Sequence, residues 1–159
     1  MSWKPLWTVG LAVLFQGCGG KGQLRLDSAT SACRTQPAEK LDELRPGRFS
    51  IEPTYQYDQD SEKTTWLSQD KVDSIRRDGD FFELKGSLVP DVVLHEGHPL
   101  KIQAAFDFKF PCIDLSVWPK WRDYPQGHPY EGSSQRDMYI KAFRTQSVFR
   151  VSPWLGVGP

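Results

Sequence analysis

From Arg48 onward apolar and polar positions alternate along the chain with a period of two. Phe49 and Ile51 alternate with Ser50 and Glu52, and Tyr55 and Tyr57 carry the pattern past Pro53. Proline cannot donate to a strand ladder, so this stretch predicts an edge strand with a proline break. The clearest strand is predicted over 101–110. Ile102, Ala104, Phe106, Phe108 and Phe110 point one way there and Lys101, Gln103, Asp107 and Lys109 the other, a pattern of one buried and one wet face. Phe82 and Leu84 alternate with Glu83 and Lys85, and Val92 to Leu94 is a short apolar run. Ile113, Leu115 and Val117 resume the alternation after Pro111, and residues 138–151 predict one long or two short strands.

Two short helices interrupt this pattern. Thr35 is placed to cap one running to about Arg45, with Pro37 in its first turn, Leu41 and Leu44 on one face and Pro46-Gly47 as a stop. Ser68 is placed to cap the other, in which Val72 and Ile75 share a face and Asp78-Gly79 ends the run. The apolar runs on either side of Glu96-Gly97-His98-Pro99 predict a hairpin, similar to those of immunoglobulin-like sandwiches. Gly97-His98-Pro99 recurs as Gly127-His128-Pro129, which reflects the fitness of glycine and proline for turns rather than a duplicated unit. The expected fold is mainly β: an antiparallel β-sandwich, immunoglobulin-like, or a small barrel, with one or two short helices.

The first twenty residues differ in kind. Lys4 and the free amine supply positive charge, Leu6 to Phe15 is mostly apolar, and Gln16-Gly17-Cys18-Gly19-Gly20 follows, the layout of a signal peptide. Ten helical residues rise about 15 Å, half of a hydrocarbon core of about 30 Å, so the run is too short to span a membrane. Leu14-Phe15-Gln16-Gly17-Cys18 resembles the signal of bacterial lipoproteins, in which a small residue precedes the cysteine that is lipidated. Gly17 agrees with that pattern; Phe15 and Gln16 depart from it. The resemblance implies a lipid on Cys18, export, and attachment to a membrane, since several acyl chains hold a protein where one is marginal. In an organism with two membranes, Gly19 after the anchor, lacking the aspartate that resembles an inner-membrane retention signal, implies the outer membrane. The expected organisation is a signal peptide over 1–17, a flexible tether over 18–32 and one β-rich domain over 33–159.

The three cysteines fit this division, because assigning Cys18 to lipid leaves Cys33 and Cys112 as a pair. In an oxidising compartment they would close a loop of roughly 80 residues, a constraint on the unfolded chain valued at about 4.5 kcal/mol. Lysine plus arginine total 20 and aspartate plus glutamate total 20, so no net field draws the chain to nucleic acid. The hydrophobic content of 38% is enough for a packed core.

Chemistry-bearing constellations are sparse. His95, His98 and His128 are the three histidines. Three imidazoles suit zinc, but no cysteine or carboxylate stands at a zinc spacing and the run is not His-Glu-x-x-His, so metal binding is not expected. Asp58, Asp60 and Glu62 begin like a calcium loop, yet Lys63 takes the glycine position and no closing glutamate follows, which reads as a solvated acidic turn. There is no Gly-x-Ser-x-Gly elbow and no Ser-x-x-Lys, so no catalytic residue and no cofactor is assigned. The most unusual composition is the proline-punctuated stretch 118–130, where Trp118, Trp121, Tyr124 and Tyr130 are either a binding surface or a satellite core folded inward. The expected activity is non-catalytic: a protein-interaction or structural module of the envelope. A glycan-binding module on the same four rings is the alternative, and a metal-dependent envelope enzyme built on the three histidines comes third.

Overall fold

The computed structural model describes residues 41–109, 117–152 and 154–159. The signal segment, Cys18, Cys33, Cys112 and the alternating run through Ile113 and Leu115 lie outside the described residues.

Among the described residues seven strands, two complete helices and the helical residues 41–44 make up a fold that is β-rich as the alternation predicts. In chain order they are β1 (Phe49–Ile51), β2 (Thr54–Asp58), β3 (Lys63–Leu67), α1 (Gln69–Asp78), a 3-10 turn (Phe81–Leu84), β4 (Val92–His95), β5 (Ile102–Phe108), α2 (Gln135–Phe143), β6 (Val148–Ser152) and β7 (Gly156–Gly158). Five strands form one sheet in the order β1-β4-β5-β6-β7, and β2 and β3 form a separate hairpin. Among the described residues the large sheet is open, with β1 and β7 at its edges, and does not close into a barrel. Nor is it purely antiparallel: β5 pairs with β6 in parallel, Asp107 opposite Arg150. A parallel pair needs a long crossover, here the stretch carrying α2.

The parallel pair corrects the reading of residues 138–151 as strand throughout. Ser134 caps α2, its hydroxyl accepting from Asp137 N while the Asp137 carboxylate takes the Ser134 N–H, a reciprocal capping box. Met138, Tyr139, Ala142 and Phe143 are buried on one helical face, and strand resumes only at Val148. The second helix matches its prediction closely: Ser68 caps α1, Gly79 ends it at φ 74, and Val72 and Ile75 are its buried residues. Of the first predicted helix, residues 41–44 are helical. Leu41 is buried there and Leu44 exposed, so the two do not share a covered face.

Pro53 divides the predicted edge strand between two sheets. β1 pairs with β4, and β2 turns away to pair with β3 through Tyr55↔Trp66. Phe81–Leu84 forms a 3-10 turn instead of the expected strand. The core has two parts, one on each face of the large sheet. Val93, Ala105 and Val148 pack with Tyr55, Leu88 and the inner face of α2, while Val92, Leu94, Ala104, Phe106 and Val151 pack with Leu41. Both faces of β5 are thus covered, and the expected wet face carries the buried Ala105 and Asp107. A bulge where Leu94 and His95 oppose Ala104 and Ile102 shifts Ile102 to the α2 side.

Candidate functional site

The polar face of β5 ends in Asp107 and Lys109, two residues apart and so on one side of the strand. α2 begins above them, and Gln135 and Tyr139, one helical turn apart, face the same spot. Gln135 Nε2 donates to Asp107 Oδ1 at 3.1 Å and to the Tyr139 hydroxyl at 2.9 Å. Lys109 Nζ donates to Gln135 Oε1 at 2.8 Å and forms an ion pair with Asp107 Oδ2. Asp107 is only 6% exposed. An isolated buried carboxylate is costly, and the amine, the amide and the phenol together compensate it. Burial, reinforced by the Asp107 charge, holds the Tyr139 phenol well above its usual range.

Asp91, just before β4, lies beside this cluster. Its carboxylate accepts from Phe108 N at 2.5 Å. Burial pushes its pKa up to about 6; that hydrogen bond and Lys109 oppose the rise, and the charges of Asp107 and Glu52 add to it.

The aromatic stretch 118–130 roofs the cluster. It is tied to the start of α2 by Tyr124 N to Ser133 O at 3.0 Å and Gln135 N to Arg122 O at 2.7 Å, and to the β2–β3 hairpin by Gln59 Nε2 to Pro129 O at 2.8 Å. Tyr130, 4% exposed, sits in the core with its hydroxyl donating to Tyr57 O at 3.0 Å. It therefore packs inside rather than forming a contact surface. Trp121 and Tyr124 are half-buried against the same core. Each half-buried ring already has one face engaged: Trp121 by Lys109 Nζ at 5.3 Å, Trp118 by the Arg150 guanidinium at 5.3 Å, and Tyr124 by the stacked His128 ring at 4.4 Å. Burial, ahead of neighbouring Tyr130, pushes the Tyr124 phenol up to about 12. The inward-folded arrangement accounts for most of this ring surface.

The histidines do not come together. His95 is buried in β4 rather than facing solvent from a turn, with Nε2 at 3.0 Å from Ser50 Oγ. Burial, then the nearby Arg48 and His98, lowers its pKa. His98 Nδ1 accepts from Leu100 N and His128 Nδ1 from Tyr130 N, both within turns. No group of three histidine, cysteine or acidic side chains able to hold a metal occurs among the described residues. Asp58, Asp60 and Glu62 belong to the β2–β3 turn, where Asp58 Oδ1 accepts from Asp60 N and Ser61 N.

Sequence reasoning missed two features. One is the Asp107–Lys109–Gln135–Tyr139 cluster, whose members come from a strand and a helix far apart in the chain. The other is Phe81 and Phe82, adjacent rings 64% and 80% exposed on the 3-10 turn. That turn is pinned by Gln56 Nε2 donating to Glu83 O at 2.5 Å and by the Lys71–Glu83 ion pair at 3.5 Å, and Lys85 stands 5.7 Å over the Phe82 ring.

No described helix is long and apolar enough to cross a membrane. No protein-family model matches the chain, and no match is found among the curated proteins or the solved structures.

Proposed function

We propose that the chain is an exported cell-envelope protein, anchored to the outer membrane through lipid on Cys18, whose sandwich-like β domain works as a protein-interaction module and not as a catalyst. The address rests on the layout of residues 1–18, with Cys33 and Cys112 left as an even pair for a disulfide. The interaction reading rests on Phe81 and Phe82. Two neighbouring rings turned to solvent on a braced turn lose less in ordering than rings on an unbraced loop when a partner covers them, and buried aromatics dominate the energetics of interfaces. The outer faces of Trp118, Trp121 and Tyr124 are a secondary surface in this reading. Half-buried as they are, they support glycan stacking less well than the two strongly exposed phenylalanines support a protein contact.

The experiment places a photoreactive amino acid at Phe82 in the full-length protein in cells, with exposed Lys141 on α2, outside both aromatic surfaces, as the control position. A discrete cross-linked product at Phe82, absent at Lys141 and lost when Phe81 is changed to serine, is the expected result. Equal labelling at both positions, or no product, overturns the interaction reading.

A further inference from the structure

Lys109, Gln135 and Asp107 close a triangle. Lys109 Nζ lies 2.8 Å from Gln135 Oε1, Gln135 Nε2 lies 3.1 Å from Asp107 Oδ1, and Asp107 Oδ2 pairs with Lys109 Nζ. The Lys109 side chain is 17% exposed and Trp121 covers its ammonium. The Tyr139 hydroxyl accepts the other Gln135 amide hydrogen at 2.9 Å, which fixes the orientation of the carboxamide. The Lys109 ammonium is therefore held against the Gln135 carboxamide oxygen in a poorly hydrated place, and one carboxylate touches both the ammonium and the amide nitrogen. An intramolecular step becomes efficient once the reacting atoms, Lys109 Nζ and Gln135 Cδ, come within about 3 to 3.5 Å, and the triangle holds Nζ one bond away from that carbon, at Oε1.

We propose that Lys109 and Gln135 become joined by an intramolecular isopeptide bond, with Asp107 as the proton carrier. The Lys109 ammonium passes a proton to Asp107 Oδ2, and the freed Nζ lone pair attacks Cδ of Gln135. Electrons of the carbonyl move to Oε1, giving a tetrahedral centre. Asp107 delivers its proton to Nε2 and removes one from Nζ. The Cδ–Nε2 bond then breaks as the carbonyl re-forms, and the departing ammonia takes up the proton from Asp107. In sum, a lysine ammonium and a glutamine carboxamide give a secondary amide and an ammonium ion, with Asp107 restored as carboxylate. Charge and atoms balance, and no oxidant or other co-reactant enters. The bond would tie the end of β5 to the first residue of α2 and clamp the crossover between the parallel strands β5 and β6. Unlike a disulfide, it resists reduction.

Peptide mapping of the full-length protein tests this. The expected product is a branched peptide joining Lys109 to Gln135, lighter by one ammonia than its two parts, with loss of tryptic cleavage after Lys109. Lys109→Arg, which retains a cation for Asp107 but forms no such bond, should abolish the branch in a folded protein, and Asp107→Asn should abolish or greatly slow it. Unlinked peptides from the native protein overturn the proposal, whether or not the Asp107 variant folds. A branch from Lys109 to Asp107 with loss of water overturns it as well.

Discussion

The Asp91 carboxylate accepts a hydrogen bond from the Phe108 backbone N–H at 2.5 Å, tying the residue that leads into β4 to the last residue of β5. Asp91 faces Asp107, Glu52 and Lys109, and its pKa is raised from 3.8 to about 6. The fold therefore favours the protonated acid. Its stabilising contribution is complete below the unfolded value of 3.8 and is lost as pH rises through about 6. Asp91→Asn keeps an oxygen for Phe108 N and cannot ionise. The melting temperature of the variant should match that of the parent below pH 3.8, exceed it progressively as pH rises from there to about 6, and keep a constant excess above that, as read by thermal denaturation across pH. A constant difference at every pH would show that Asp91 does not titrate with folding.

Tyr130 separates burial from hydrogen bonding. Tyr130→Phe removes the bond to Tyr57 O and should cost about 1 kcal/mol, while Tyr130→Ala should cost about 3 to 5 kcal/mol by chemical denaturation.

Trp121→Ala tests the satellite core directly. The ring packs half-buried on the core and under Lys109, so the expected loss is about 2 kcal/mol, roughly half that of a fully buried ring. An unchanged melting temperature would return Trp121 to the class of free contact residues.

Gly158 in β7 lies against the Trp118 indole, and a β-carbon there would stand 2.9 Å from ring atoms. Gly158→Ala should cost about 1 to 3 kcal/mol through overpacking and shift the tryptophan fluorescence.

The anchor has its own measurement. The native protein should carry acyl mass and partition with membranes, and Cys18→Ser should do neither; identical soluble and unmodified forms would remove the envelope address.

Local signals were the legible part of this chain. Period-two alternation marked β1, β2 and β5, and Ser68 with Asp78-Gly79 marked both ends of α1, because strand faces and helix caps are specified by residues within a few positions of one another. The capping box at Ser134 and Asp137 was equally local and identifies α2, yet the β-branched and aromatic residues of 138–151 suited a strand as well as the helix that begins there. β3 stood next to its partner and was overlooked behind the acidic turn at Asp58 to Glu62.

What only tertiary structure decided lies in long-range pairing. The parallel register of β5 and β6 sends the intervening chain over one face of the sheet, and that path covers the side of β5 that alternation marked as wet. It also brings Gln135 and Tyr139 onto Asp107 and Lys109 and folds Tyr130 inward against Tyr57. The sequence by itself determined which residues favour strand or helix, and the layout of the first eighteen residues. Which polar residues would be buried together depended on the crossover, since a buried charge is tolerated only where distant segments supply its partners.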